Sequence, residues 1–303
     1  MSEPLVVDTL MWGHARFTGV FVVAGERTAL VESGSKATAP EVLAALGRLG
    51  VDDVDWIVVT HVHLDHAGGA APLAAAFPRA RVAVHRRGAP HLAAPEKLWA
   101  SVGRVYGPAE MERLWGGVDP IAADRIHALD DGDVVDLGGR ALRALDTPGH
   151  ASHHHALLDD ATGAMFVGDA LGVRLPDLGV VRPATAPPEV DVPAALASIE
   201  RIRAARPASL WFSHFGPHDR GARVAGVDDV CDEAAAALRR WESWVRAARR
   251  DAPGDVVDRV GRRARAELAG TLSDDELDRL DATAPVWVNV AGLARYLERA
   301  DGA

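Results

Sequence analysis

"VDWIVVTHVHLDHAGG", residues 54–69, joins two patterns that seldom meet by chance. The apolar run at its start reads as a buried strand. It ends directly in His61, His63, Asp65 and His66, four metal-preferring side chains within six positions. An H-x-H pair in extended backbone projects both imidazoles to one side, because side chains in a strand repeat every two residues. Asp65 and His66 follow and can turn back toward a second position. Gly68 and Gly69 allow a tight exit into a helix. Four donors on one loop suit two neighbouring cations, and one loop cannot complete both.

Outward from this stretch the chain alternates strands and helices. "GVFVVAG" (19–25) and "RTALVES" (27–33) predict two strands joined at Gly25–Glu26. Thr38 and Glu41 have capping-box spacing ahead of a helical face carrying Val42, Leu43, Leu46 and Leu49. "RARVAVH" (79–85) is a further strand, and this β-α-β order implies an α/β layer. Residues 88–127 read as helix and loop. Two hairpins are then expected, turning at Gly138–Gly139 and near Asp160–Gly163. Asp191 can cap a helix bearing Leu196, Ile199 and Ile202, and "SLWFSHFG" (209–216) is a last strand. After about residue 220 the pattern is helical: a stripe of Leu238, Trp241 and Val245, a capping box at Ser273 and Glu276, and a closing helix over 286–300.

Partners for the loop appear at the ends of later strands: His150 after "DTPG", Asp169 after "MFVG" and His214 after "SLWFS". Imidazole with carboxylate suits zinc, iron or manganese rather than calcium. The single cysteine, Cys231, excludes a cysteine-based metal cluster and an intramolecular disulfide. A formal net charge of −10 argues against a nucleic-acid surface, which needs basic residues facing phosphates. No signal peptide or apolar run of spanning length is evident, so a soluble cytoplasmic protein is the expectation.

H-x-H-x-D-H with downstream His, Asp and His in this order resembles the metallo-β-lactamase superfamily over about the first 220 residues. The resemblance implies an αββα sandwich, which suits the order of strands and helices above. It implies that His61, His63 and His150 form one metal site and that Asp65, His66 and His214 form a second, with Asp169 bridging. "TPGHASHH" (147–154) is similar to the glyoxalase II signature, where a second histidine, here His154, lies four residues after the ligand. True β-lactamases of this fold do not usually carry the bridging carboxylate, and His63 stands where the flavo-diiron branch has glutamate. One departure is Glu32 in "LVESG", where many relatives have aspartate.

The expectation is therefore a dinuclear metal hydrolase, residues 1–220, with helices 221–303 covering the cleft and selecting the substrate. Two divalent ions are expected, zinc first, with iron or manganese as alternatives. A metal-bound hydroxide attacks an ester-like carbonyl, and Asp65 orients the water and takes its proton. A thioester ranks above a lactone, because Tyr106 and Tyr296 are the only tyrosines. A mononuclear iron oxygenase of the persulfide-dioxygenase kind and a non-catalytic metabolite sensor stay open. The partner is a small-molecule substrate, with a homodimer as an option, and neither nucleic acid nor membrane. His153, His155, His85 and His91 read as packing or surface residues, and His154 and His218 as candidates for the surroundings of the site.

Overall fold

The computed structural model describes residues 2–175, 177–219 and 225–302. The chain divides into two compact units, each woven from several segments. The first comprises residues 1–146, 153–168 and 207–216, and the second comprises 147–152, 169–206 and 217–303. The expected boundary at residue 220 lies outside the described residues. Among the described residues no helix is long and apolar enough to cross a membrane.

The first unit is built on two sheets. One runs in chain order through β1 (Leu5–Asp8), β2 (Gly19–Ala24), β3 (Thr28–Val31), β4 (Trp56–Val58), β5 (Arg81–His85) and β6 (Ile126–Leu129). β3 to β6 pair in parallel, joined by α1 (Ala39–Arg48), then α2 (Leu64–Ala67) and α3 (Ala70–Ala76), and then α4 (Ala89–Ala93), α5 (Glu96–Tyr106) and α6 (Pro108–Trp115). The other sheet orders β13 (Ser209–Phe212), β10 (Ala164–Gly168), β9 (His155–Asp159), β8 (Ala141–Asp146) and β7 (Val134–Asp136).

Alternation explains why the strands of the first sheet read as continuous apolar runs. Val20, Val22, Leu30, Ile57, Val82 and Val84 pack toward the helices. Phe21, Val23, Val31, Val58 and Ala83 face the other way, onto Leu142, Leu157, Phe166 and Trp211 of the second sheet. A sheet covered on both faces has no polar side to display. The rings of Phe21, Phe166 and Trp211 meet pairwise at 5.3, 5.6 and 5.9 Å between centroids, tilted or edge-on. Such aromatic pairs each contribute roughly 0.5–1.5 kcal/mol beyond area burial.

The caps differ in part from the sequence reading. Thr38 does not cap α1. Its hydroxyl instead closes a single turn with Ser35, accepting from Ser35 N–H at 3.1 Å and donating to Ser35 C=O at 3.0 Å. Asp191 caps its helix as expected, accepting from Ala194 N–H at 3.0 Å. Ser273 and Glu276 form the second box.

In the second unit, a ribbon of β11 (Val173–Leu175) and β12 (Val180–Arg182) precedes α7 (Val192–Ala204). Helices α8 (Val227–Asp251), α9 (Val256–Leu268), α10 (Asp274–Thr283) and α11 (Val286–Asp301) follow. The expected stripe of Leu238, Trp241 and Val245 packs with Val260, Leu293 and Leu297. Leu277 and Leu280 of α10 cover Leu175 and Val180 of the ribbon.

His155, the first residue of β9, is fully buried and its Nε2–H donates to Val59 C=O at 3.0 Å. Burial, with the neighbouring His85 and His153, pushes its pKa down to about 4. The unfolded imidazole titrates near 6.5, so the stabilisation is complete above that value and is lost as pH falls toward 4. Between pH 7 and 5 this one group is expected to cost about 2 kcal/mol. His155→Gln keeps an N–H for Val59, and denaturant titrations should show its stability falling less over that interval by about that amount. Equal pH slopes for the two proteins would remove His155 as the cause.

Candidate metal centre

Parallel strands deliver their carboxyl ends to one edge, where α/β folds build sites. β4 leads into Thr60 and His61, β3 into Glu32, and β13 into Ser213 and His214. His63 is extended (φ −61°, ψ 152°) and precedes the short helix α2, whose single turn carries Asp65 and His66. The loop therefore bends as its H-x-H-x-D-H spacing requires. Gly69 is needed for close approach rather than for unusual dihedrals: a Cβ there would stand 2.3 Å from Ser33 C=O. Ser33 in turn binds His66 C=O through both its N–H (2.8 Å) and its hydroxyl (2.7 Å).

The hub is Glu32, buried and held at φ +68°. A non-glycine residue in the left-handed region is uncommon and persists only where its surroundings enforce it. Here they do. Oε1 accepts from the Thr60 hydroxyl (2.6 Å), the Ser213 hydroxyl (2.8 Å) and His66 Nδ1–H (3.0 Å). Oε2 accepts from Thr60 N–H at 3.2 Å. Because the Thr60 hydroxyl spends its proton on Glu32, it must accept from His61 Nδ1–H, 3.0 Å away. One carboxylate thus fixes the tautomers of His61 and His66 and ties β3 to β4 and to the residue before His214.

His214 is oriented separately, its Nδ1–H donating to Phe17 C=O at 3.0 Å. With Nδ1 donating on His61, His66 and His214, the neutral form of each ring has its lone pair on Nε2. His61 Nε2 lies 3.0 Å from His63 Nδ1. Asp65 Oδ2 lies 3.5 Å from the Nε2 atoms of both His66 and His214. Asp65, His66 and His214 place their donor atoms within 4.8 Å of one another. Two donors at about 2.0–2.1 Å on a tetrahedral cation stand roughly 3.3 Å apart, so both spacings fit a transition-metal ion. Burial acts to raise the Asp65 carboxyl, but when His66, His214 and His63 are protonated their charges, with a hydrogen bond from His214, outweigh it and hold the group well below the usual carboxylate range.

In the second unit, His150 Nδ1–H donates to Ala184 C=O at 2.9 Å, and His150 Nε2 lies 3.5 Å from Asp169 Oδ2. These two expected ligands stand side by side with a matching donor arrangement. Asp169 follows Gly168, where a Cβ would meet His154 Nε2 at 2.5 Å and Thr60 Oγ1 at 2.6 Å; φ is +50° there.

The remaining histidines divide clearly. His154 is fully buried, its ring 5.0 Å from that of His61. His153, expected as packing, has its ring 5.9 Å from His63 and 6.1 Å from His91. His85 is structural, accepting from Arg87 N–H at 3.0 Å and lying 3.3 Å from Asp146. His218 is buried, and its C=O accepts from Arg174 at 2.9 Å. Tyr106 sits in an apolar cluster with Leu64, Phe17, Met111 and Trp115. Burial, with the charge of Asp65, pushes its phenol upward and keeps it protonated. Sequence reasoning took Glu32 as a departure from the family pattern, weighed Tyr106 only in ranking a lactone below a thioester, and passed over Thr60 and Ser213. The position of Thr60 and Ser213 immediately before ligand candidates was the available signal.

Facing sheets with imidazole and carboxylate donors at the carboxyl ends of their strands are the mark of a metal-dependent hydrolase. The family profile of the metallo-beta-lactamase superfamily matches residues 5–214, and the chain belongs to that superfamily and is such an enzyme. Its fold is the αββα sandwich of the family with a C-terminal helical extension, α8–α11. A metallo-beta-lactamase fold-containing protein of Sulfurisphaera tokodaii is 31% identical over 202 residues, 65% of this chain and 72% of its own. Hydroxyacylglutathione hydrolases of Acidiphilium cryptum and Cupriavidus taiwanensis are 32% and 39% identical over 170 and 153 residues, 55% and 48% of this chain. The chain spans about half the length of those two hydrolases (51% and 46%). Among solved structures, a metallo-beta-lactamase family protein of Thermus thermophilus shares the fold with a TM-score of 0.64 at 22% identity, covering 94% of this chain and 89% of its own.

Glu32→Gln keeps one acceptor oxygen but sets an amide N–H₂ against one of the Glu32 donors. Loss of such an outer partner typically weakens metal affinity about 10- to 100-fold. Competition of the variant with a chelator for Zn²⁺ should show a drop of that size, and wild-type affinity would contradict the role given to this carboxylate.

Proposed function

We propose that the enzyme hydrolyses an ester-like carbonyl, a thioester first, with two divalent transition-metal ions held by seven side chains. His61, His63 and His150 would hold one ion, Asp65, His66 and His214 the other, and Asp169 would serve both. The observation that carries this reading is the orientation of the donors before any ion arrives. Nδ1 of His61, His66, His214 and His150 each faces a protein acceptor, which turns Nε2 toward the neighbouring donor His63, Asp65 or Asp169. His150 follows the end of β8 by four residues and Asp169 follows β10 directly, so short connections tether both to sheet strands. Zinc is the first choice of metal, with iron or manganese as alternatives, since imidazole and carboxylate suit all three.

When bound, the ions would supply a water acidified to near neutral pH and would polarise the carbonyl. Asp65 would orient a water for attack on the acyl carbon by accepting a hydrogen bond from it. Hydrolysis forms one C–O bond and breaks the C–S bond; the water's protons leave with the thiol and to solvent, and a carboxylate remains. Cys231 is no nucleophile, because burial pushes its thiol up to about 11. The thioester preference draws on the hydroxyacylglutathione hydrolase relatives and on "TPGHASHH". The net charge of −10 favours a small-molecule substrate over nucleic acid. A cytoplasmic location, the assignment of substrate choice to α8–α11, and a homodimer as an option belong to the same proposal. Lactone hydrolysis is the second reading, for which Tyr106, near enough to Asp65 to feel its charge, is the tyrosine available.

Elemental analysis of the purified protein is expected to give about two metal ions per chain. A panel of thioesters, lactones, β-lactams and phosphodiesters should show turnover first with thioesters. One iron per chain with oxygen consumption would instead establish the oxygenase reading. Asp65→Asn should retain at least one ion while kcat falls about 100-fold or more, the usual scale for losing a positioned acid–base group. Wild-type turnover by the metal-replete variant would show that the water needs no carboxylate there.

A further inference from the structure

We infer that Asn289, on the closing helix α11, is a positioning residue for the metal ligand His150, acting through Thr185 and Ala184. This rests on the reading of His150 as a ligand, and it extends the metal centre well beyond residue 214, where the superfamily profile ends.

The orienting acceptor of His150 is a main-chain carbonyl on a loop, Ala184 C=O, at 2.9 Å. A loop carbonyl is only as well placed as whatever holds the loop. The next residue, Thr185, is bound wholly to Asn289. Its N–H donates to Asn289 Oδ1 at 2.7 Å, and its hydroxyl is shared between Asn289 Oδ1 and Asn289 C=O at 3.0 Å each. Both residues are buried. One turn further along α11, Gly292 lets the helix come close: a Cβ there would lie 1.7 Å from Thr185 C=O. Two turns on, Arg299 donates to Pro188 C=O and Val190 C=O at 2.5 Å each.

The same loop grips the segment that carries His150. Asp191 N–H donates to Gly149 C=O at 2.9 Å, and Glu189 accepts from Ser152 N–H at 2.9 Å. Gly149, at φ +135°, has no room for a side chain, since a Cβ would stand 2.3 Å from Ala195. His150 is thus clasped by residues 184–191, which α11 clasps in turn.

The sequence of α11 makes sense on this basis. Its buried face carries Val288, Val290, Leu293 and Leu297, with Asn289 and Gly292 among them. A glycine inside a helix costs roughly 1 kcal/mol relative to alanine, and a buried asparagine must be fully satisfied by partners. A helix that served only to cover apolar surface would use neither residue. Here the asparagine and glycine both meet Thr185.

The test is Zn²⁺ binding to the full-length chain in competition with a chelator, alongside thermal melting. Asn289→Ala should weaken one of two Zn²⁺ dissociation constants about tenfold or more, the usual scale for disturbing a ligand's outer partner, and leave the other unchanged. Leu297→Ala, on the same helix but in the apolar cluster, should lower the melting temperature with both constants intact. If Asn289→Ala does not fold, Gly292→Ala drives α11 against the same carbonyl and is expected to give the same selective loss. Wild-type constants in the Asn289 and Gly292 variants would overturn the inference, and so would an equal loss in Leu297→Ala. His150→Ala separates the two levels. Retention of both ions there would remove His150 as a ligand altogether. Loss of one ion there, with Asn289→Ala unaffected, would remove only the coupling.

Discussion

A buried carboxylate is costly unless donors surround it, and Glu32 is surrounded on every side. The donors come from β4, from the turn of α2 and from the residue preceding His214. The charge can be buried only when those elements are in register, so its satisfaction is also a check on the assembly of the first unit. The left-handed backbone at Glu32 is the cost of bringing the carboxylate under Thr60. In return, His61 and His66 reach a single tautomer before an ion binds. Imidazoles that must first rotate and exchange protons lose affinity to that reorganisation.

The second unit solves the same problem by different means. His150 leans on a backbone carbonyl instead of a carboxylate. A neutral carbonyl carries no desolvation burden comparable to a charge, but it has to be immobilised by its loop. That task falls to Asn289, Gly292 and Arg299 of α11. If His150 is a ligand as proposed, α11 positions a metal donor as well as covering apolar surface.

The run His153-His154-His155 shows how context divides identical side chains. His155 opens β9, whereas His153 and His154 precede the strand in a turn. His155 turns into the sandwich and is kept neutral by burial, His154 packs beside His61, and His153 stands near His63 and His91. No property of the imidazole distinguishes the three; the turn that leads into β9 and the neighbours each ring meets do.

Much of the molecule was legible in the amino-acid order. Periodicity located the strands of the first sheet, because burial on both faces leaves no polar residue to interrupt them. The spacing of residues 61–66 displayed the donor loop, since ligands on one turn must be close in sequence. Asp191 and the Ser273–Glu276 box were readable because caps are local. What sequence could not show was every contact made across long separations. Glu32 meets Ser213 over 181 residues, and Thr185 meets Asn289 over 104. Neither pairing follows from periodicity or a motif, because a hydrogen bond depends on ångström-scale placement that only packed sheets and helices provide. The sequence by itself determined the candidate donors and the layers; the tertiary structure decided which atoms orient those donors.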